Sequence, residues 1–464
     1  MSLLDKSATV ARPGYSKWLI PPAALCVHLS IGQVYAFSVF KTSLVARFDS
    51  SQTAVAWIFS IAIVMLGLSA AVLGTWVERV GPRKAMVTAA LCWGTGFLVG
   101  AAGIGLGSLP LLYLGYGVIG GIGLGIGYIS PVSTLIKWFP DRPGLATGMA
   151  IMGFGGGALI ASPLSSKLMS VYDSGFVAAD KDAVADGSAL ASTFVTLGLF
   201  YLVFMLVGAA LVRVPPGFGE DATTAQVPGT NGALVRAAAA LRTPQFALLW
   251  VVLFCNVTAG IGILEQAAPM IQDLFRVGGD SSVDAAEAAG FVGILSLANM
   301  AGRFAWSSLS DVVGRKRIYM VYLGVGLVLY LLLATVGDES TALFVLLAAL
   351  ILSFYGGGFA TVPVYLKDLF GTLEVGAIHG RLLTAWSVAG VVGPLIVNGF
   401  LDAEGEPGQL VAADYRLPLF TVVGILAIGF VANLLIRPVG EEHFDKEAVA
   451  RLDDPEPAAA GGVR

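Results

Sequence analysis

Apolar residues in this chain gather into long unbroken runs instead of the three-or-four spacing of a helix that lies on a soluble core. Twelve such runs stand near 18–40, 54–77, 85–107, 111–138, 144–169, 193–213, 245–271, 286–309, 317–336, 341–366, 377–401 and 416–437. A bilayer core of ~30 Å takes about 20 apolar residues as a helix, so each run is predicted to be one span. The first has no small-residue cleavage site after it and reads as a retained span, not a signal peptide. The polar stretch between the sixth and seventh runs divides the chain. The expected organisation is an N-terminal six-helix bundle (1–213), a linker loop (214–244), a C-terminal six-helix bundle (245–440) and a disordered tail (441–464), rich in Pro and Ala.

The positive charges test the count. Placing both chain ends on one side of the membrane puts 20 of the 27 Lys and Arg residues on that side. Six fall on the other side: Lys41, Arg47, Lys167, Lys181, Arg276 and Arg416. Arg303 alone is left inside a span. Such a bias is what the positive-inside rule expects for cytoplasmic termini. Composition agrees, with 56% apolar and 12% charged residues, against about 25% charged in soluble domains. The net charge of −4 and the lack of a basic patch argue against nucleic acid as a partner. Cys26, Cys92 and Cys255 all lie in apolar runs, away from any Cys/His cluster, so no metal or redox centre is expected.

The two halves repeat. Glu78-Arg79-Val80-Gly81-Pro82-Arg83-Lys84 follows the second run, and Asp311-Val312-Val313-Gly314-Arg315-Lys316-Arg317 follows the eighth, 233 positions later. Pro131-Val132, Gly144 and Gly148 recur as Pro363-Val364, Gly376 and Gly380, shifted by 232. Two echoes at nearly one offset indicate duplicated six-span units.

The loop after the second run, Gly74-Thr-Trp-Val-Glu78-Arg79-Val80-Gly81-Pro82-Arg83-Lys84, resembles the signature loop of the major facilitator superfamily, with Glu for Asp and Pro82 where an Arg is usual. The second copy has Ser307 at the first Gly position. Within the superfamily, the stretches Gly120 to Pro131, Lys137 to Gly148, Gly153 to Ala158, Phe354 to Phe359 and His379 to Trp386 resemble the oxalate–formate antiporter family. The resemblance implies an all-α membrane fold of twelve helices in two pseudo-symmetric six-helix bundles. It also implies transport of small carboxylates across the plasma membrane by a carrier that is not an enzyme. The loop residues Glu78, Arg79, Arg83, Lys84, Asp311, Arg315 and Lys316 read either as a conformational switch, whose carboxylates trade cation partners between states, or as topology charge alone.

Arg303 is the sharpest candidate for chemistry. It lies eight residues before Asp311, so about 12 Å into the membrane, where an unpaired charge costs about 2.5–3.5 kcal/mol. Its planar fork fits a carboxylate with two hydrogen bonds. In the resembled family an arginine at this position contacts the substrate carboxylate; the structural alternative is an ion pair with Glu265 of the seventh span. Tyr35, Tyr128, Phe154, Tyr355, Phe359 and Trp386 match cavity positions of the family, and each aromatic could equally serve helix packing. Tyr355 and Phe359, four apart, share one helix face. The family's oxalate carriers hold a second intramembrane cation, a lysine, in the eleventh span, where Trp386 stands here. One arginine balances one negative charge, so a monocarboxylate such as lactate, pyruvate or formate is expected, with oxalate–formate exchange as the alternative. Glu265 and His28 are candidate proton carriers, Glu265 being otherwise interfacial or paired with Arg303, and His28 otherwise a packing residue.

Gly115-Tyr-Gly117-Val-Ile-Gly120 spells Gly-x-Gly-x-x-Gly, but it lies inside an apolar run with no strand before it, which points to close helix packing and not to a nucleotide. No P-loop or catalytic triad is present, and no cofactor is expected. The remaining partners are the lipid bilayer and either a proton or a counter-anion, with the chain expected to act as a monomer. A carboxylate-sensing receptor is the alternative from a different functional class.

Overall fold

The computed structural model describes residues 4–12, 14–139, 141–176, 184–216, 229–277, 280–404 and 410–453. Among them, twelve helices are long and apolar enough to cross a membrane. In chain order these spans run Lys17–Phe48, Gln52–Val80, Pro82–Leu106, Leu109–Trp138, Pro143–Tyr172, Gly187–Leu211, Pro244–Leu274, Ala286–Val313, Arg315–Glu339, Thr341–Phe370, Val375–Leu401 and Ala412–Leu435. Several outrun their apolar stretch, because polar end residues still complete helical hydrogen bonds. The second and eighth spans stop at glycines in the same register, Gly81 (φ 83°) and Gly314 (φ 93°), where a left-handed backbone turns the chain into the next helix. Side-chain caps open others, such as Asp186 accepting from Ala189 N–H (2.7 Å) and Ser340 from Leu343 N–H (3.1 Å).

Packing follows the repeat. The first span lies on the fifth and sixth, the third on the fourth and sixth, and the second on the fourth. In the other half the seventh packs on the eleventh and twelfth, the ninth on the tenth and twelfth, and the eighth on the tenth. The most extensive contacts between the halves are fifth with eighth and second with eleventh; the tenth span also meets the fifth, and the seventh meets the first. The Gly-x-Gly-x-x-Gly segment lies within a π-helical stretch, Tyr113–Gly120, of the fourth span. A Cβ added at the facing Gly96 of the third span would sit 2.7 Å from Gly120 Cα, so the glycines serve close packing.

The first span is not one regular helix. Its α-helical part Ile20–Ile31 tightens into a 3-10 segment, Gly32–Phe40, before helix resumes at Lys41–Phe48. Long 3-10 stretches are uncommon and often mark functional positions; this one carries Tyr35.

Two expectations need correction here. Lys41, assigned to a loop on the far side, is inside the first span and 3% exposed. The tail is not disordered throughout: Glu441–His443 forms a 3-10 turn and Lys446–Asp453 a helix, while residues 454–464 lie outside the described residues, as does Lys181. The ordered part of the tail docks on the linker. Asp445 N–H donates to Leu234 O (2.8 Å), the Asp445 carboxylate pairs with Arg236, and Asn231 Nδ2 donates to Val439 O (2.9 Å). The Ala448 N–H, with help from Arg236, holds the Asp445 carboxyl below its ordinary range. Residues 229–237 of the linker also bond to the C-terminal half: Val235 N–H to Phe370 O (2.9 Å) and Ala237 N–H to Glu374 Oε2 (2.7 Å).

Candidate functional site

At mid-depth, Arg303 of the eighth span is fully buried. Its Nε donates to Asn299 Oδ1 (2.9 Å), one turn back on the same helix, and its Nη1 reaches Ile151 O (3.4 Å). The guanidinium stands over the rings of Phe154 (5.5 Å) and Phe359 (5.1 Å). Nη2 has no hydrogen-bond partner among the described residues. The slot is narrow on the fifth-span side, where a Cβ on Gly155 would fall 2.8 Å from Arg303 Nε.

All the aromatic candidates gather around this arginine. Tyr35 and Tyr355 share a hydrogen bond between their hydroxyls (2.6 Å) that crosses from the first span to the tenth. Phe154 meets Tyr35 (5.0 Å between centroids), Tyr128 (5.5 Å) and Trp386 (5.4 Å) edge-on. Phe359 lies 4.3 Å from Trp386 and 5.1 Å from Tyr355. His28 stacks on Tyr128 at 5.6 Å, with Nε2 3.1 Å from the Tyr128 carbonyl. Among the described residues, Arg303 Nη2, Tyr128 Oη, Trp386 Nε1, Asn299 Nδ2 and His28 Nδ1 have no partner in full hydrogen-bond geometry, although the Tyr128 hydroxyl lies near enough to Arg303 to feel its charge. A buried polar group without a partner costs about 1–3 kcal/mol. All but His28 Nδ1, which is an acceptor while Nε2 donates to the Tyr128 carbonyl, are donors beside a fully buried cation, and such a set is suited to a bound anion.

The expected alternative for Arg303, an ion pair with Glu265, is not formed. Glu265 accepts instead from Lys41 Nζ (2.7 Å) and from Asn398 Nδ2 (3.1 Å), and Asn398 in turn bonds Gln266. The first span runs on past its 3-10 segment, which brings Lys41 against the seventh span. Both members of this pair are buried, at 3% and 7% exposure. Lys41 and Asn299 were not singled out from the sequence. Asn299 had a signal in its spacing of four residues from Arg303; Lys41 had none beyond a charge at the end of an apolar run.

The loop residues separate into two groups. Asp311 accepts from Gly144 N–H (3.2 Å) and Leu145 N–H (3.3 Å), at the start of the fifth span, and from Arg315 Nη2 (2.6 Å). Glu78 stands beside Gly376 of the eleventh span. Arg83 and Lys316 face the other way: Arg83 Nε donates to Ala209 O (3.2 Å) and Lys316 Nζ to Leu434 O (2.9 Å) and Ile436 O (2.8 Å). They cap the last helix of their own half. Arg79 and Lys84 are exposed.

The two ends of the molecule differ. On the side of the chain ends, a cavity of about 300 Å³ lies between the second, fourth, tenth and eleventh spans, with Glu78, Lys137, Lys367 and His379 in its wall. On the other side, the space lined by Tyr35, Lys41 and Glu265 is about 10 Å³. On that side the first and seventh spans meet through the buried Lys41–Glu265 pair.

The sequence model of the Major Facilitator Superfamily matches residues 23–394 and 293–459. The chain is 26% identical over 372 residues to the oxalate:formate antiporter of Oxalobacter formigenes, covering 80% of this chain and 81% of that protein. It is 26% identical over 462 residues to apicoplast pyruvate carrier 1 of Toxoplasma gondii, covering 89% and 80%. Its fold matches a crystal structure of the E. coli fucose:proton symporter FucP with a TM-score of 0.63, at 15% identity, over 91% of this chain and 100% of that one.

Proposed function

This chain belongs to the major facilitator superfamily, and we propose that it is a carrier, not an enzyme, that moves a small monocarboxylate by alternating access. The observation that carries the reading is Arg303: a fully buried cation with no carboxylate partner and one nitrogen left unused among the described residues. Arg303 binds the carboxylate, with Tyr128 and Trp386 supplying further donors, while Phe154, Phe359, Tyr35 and Tyr355 set the size of the site. The similarity to an oxalate:formate antiporter and to a pyruvate carrier supports a carboxylate as cargo.

A second buried cation, Lys41, would suit a dianion, but Glu265 neutralises it. One net positive charge therefore remains at mid-membrane, which favours a monocarboxylate over oxalate. The halves 1–213 and 245–440 rock about this site in a monomer. Both chain ends are cytoplasmic, in the plasma membrane, as the bias of positive residues indicates. Coupling runs either through exchange of a second carboxylate at Arg303 or through a proton; a proton taken up by Glu265 would release Lys41 and free the first span from the seventh. His28 stays a candidate for the same proton.

The test is Arg303→Ala in proteoliposomes loaded with unlabelled pyruvate. Counterflow of labelled pyruvate should drop at least a hundredfold, to the level of empty liposomes, with the variant inserted normally; the loss matches a buried charge-assisted contact of about 3 kcal/mol. Undiminished counterflow would sink the assignment. Heteroexchange with oxalate faster than with pyruvate would select the antiporter reading.

A further inference from the structure

The cytoplasmic cavity takes no part in the site around Arg303, although the two share a wall. Its volume of about 300 Å³ is at the lower end for a ligand pocket. Val77, Ile129, Val132 and Leu373 make an apolar lining. Two ammonium groups, Lys137 from the fourth span and Lys367 from the tenth, share the cavity wall with one carboxylate, Glu78, which is attracted to Lys137 and Lys6 and repelled by Glu374, while Lys367 attracts its chain neighbour Asp368. His379, at the membrane-ward end of this lining, is 4% exposed, and its Nε2 has no hydrogen-bond partner among the described residues. Its ring centroid is 6.3 Å from that of Tyr128. Tyr128 is also a wall of the Arg303 site, so the Tyr128–His379 contact is the partition between the two spaces.

We infer that this cavity is a second carboxylate-binding station, entered from the cytoplasm. Lys367 and Lys137 hold the anionic head there, and the apolar wall takes the body of the molecule. The inference rests on the carboxylate reading of Arg303. Lysine suits a way station: its ammonium is a point charge on a flexible stem, which follows a moving anion where the arginine fork fixes one. A carboxylate arriving at Lys137 competes with Glu78 for the same cation. Cytoplasmic loading thereby loosens Glu78 at the junction of the second and eleventh spans.

Labelled pyruvate uptake into inside-out and right-side-out vesicles tests this. Lys367→Gln should raise the KM from the cytoplasmic face about fivefold, the equivalent of one partly exposed ion pair of about 1 kcal/mol. The KM from the outer face should stay within about twofold, and Lys367→Arg should restore the cytoplasmic value. Equal changes from both faces, or no change from either, overturn the station. Equilibrium binding of labelled pyruvate to the purified chain separates this from the reading it rests on. Arg303→Ala should keep a weak saturable site that Arg303→Ala/Lys367→Gln lacks. Arg303→Ala with normal transport would sink the central site and leave the cavity standing, whereas no saturable binding to the wild type or to Arg303→Ala overturns both.

Discussion

Two junctions join the halves on the side of the chain ends, and the internal repeat makes them counterparts. Where the eighth span meets the fifth, Asp311 caps the N–H groups of Gly144 and Leu145, and Arg315 clasps it at 2.6 Å while also facing Asp368 at 3.4 Å. Where the second span meets the eleventh, Glu78 stands beside Gly376, the repeat partner of Gly144. The loops otherwise agree: Gly81 and Gly314 turn alike, and Arg83 and Lys316 cap the final helix of their own half. The position 233 before Arg315 is Pro82. One hairpin therefore has a guanidinium to fix its carboxylate, and the other does not. The 300 Å³ cavity is walled mainly from the looser junction, by Gly74, Val77, Glu78, Val375 and Gly376, and meets the fixed one only at Pro143. The motif thus does two separable jobs. Its second basic residue secures its own half, and the carboxylate, with the residue that opens the next helix, governs contact with the other half.

The largest effect is expected where the fixed junction is broken. Asp311→Asn removes the charge behind two backbone contacts and the Arg315 pair, worth about 2 kcal/mol together, or roughly a thirtyfold change in the ratio of closed to open forms. A cysteine placed at Ser133, in the cavity wall, would report this through its rate of labelling by a maleimide added on the side of the chain ends, followed at that peptide by mass spectrometry. The rate should rise steeply. If it stays within twofold of the parent, Asp311 does not hold the junction.

The comparison also marks what the sequence could and could not reveal. A bilayer imposes a length and a composition on every span, so the twelve spans were legible without contacts, and the internal repeat showed their division into two sixes. The cluster around Arg303 was legible because a charge at mid-membrane demands company, and the aromatics came from the family resemblance. The Lys41–Glu265 pair was not. It joins residues 224 apart in the chain, one from each half. Lys41 looked like a loop charge because its apolar run ends there, and a span tolerates it only where Glu265 neutralises it. The docked tail was missed for a similar reason. Its composition suggests disorder, but Asp445 finds Arg236 and Leu234 on the linker, contacts that no local pattern encodes.

A smaller effect is expected at the looser junction. Glu78 is exposed and has no guanidinium partner in its loop, so Glu78→Gln should shift the same labelling rate by less than about fivefold, within the range of a surface ion pair. A shift as large as that of Asp311→Asn would show that the two junctions carry equal weight and that the Pro82 difference is immaterial.

The smallest effect is also the most direct test of that difference. Pro82→Arg gives the second span's loop the residue its counterpart has. Arg315 opens its helix and reaches back four residues to Asp311; an arginine at 82 would open the third span in the same register, four residues after Glu78. The change has a cost, since proline suits the first helical position and restricts the unfolded chain, so about 0.4–1 kcal/mol of stability is lost. The new pair returns at most about 1 kcal/mol. Thermal stability should therefore hardly move, whereas the junction should tighten, because the pair forms only when Glu78 faces the eleventh span. Labelling at Ser133→Cys should slow by about two- to threefold, and Glu78→Gln in the same chain should abolish the slowing. If Pro82→Arg slows labelling equally with or without Glu78, the arginine acts on the third span alone, and the asymmetry of the two junctions has another origin.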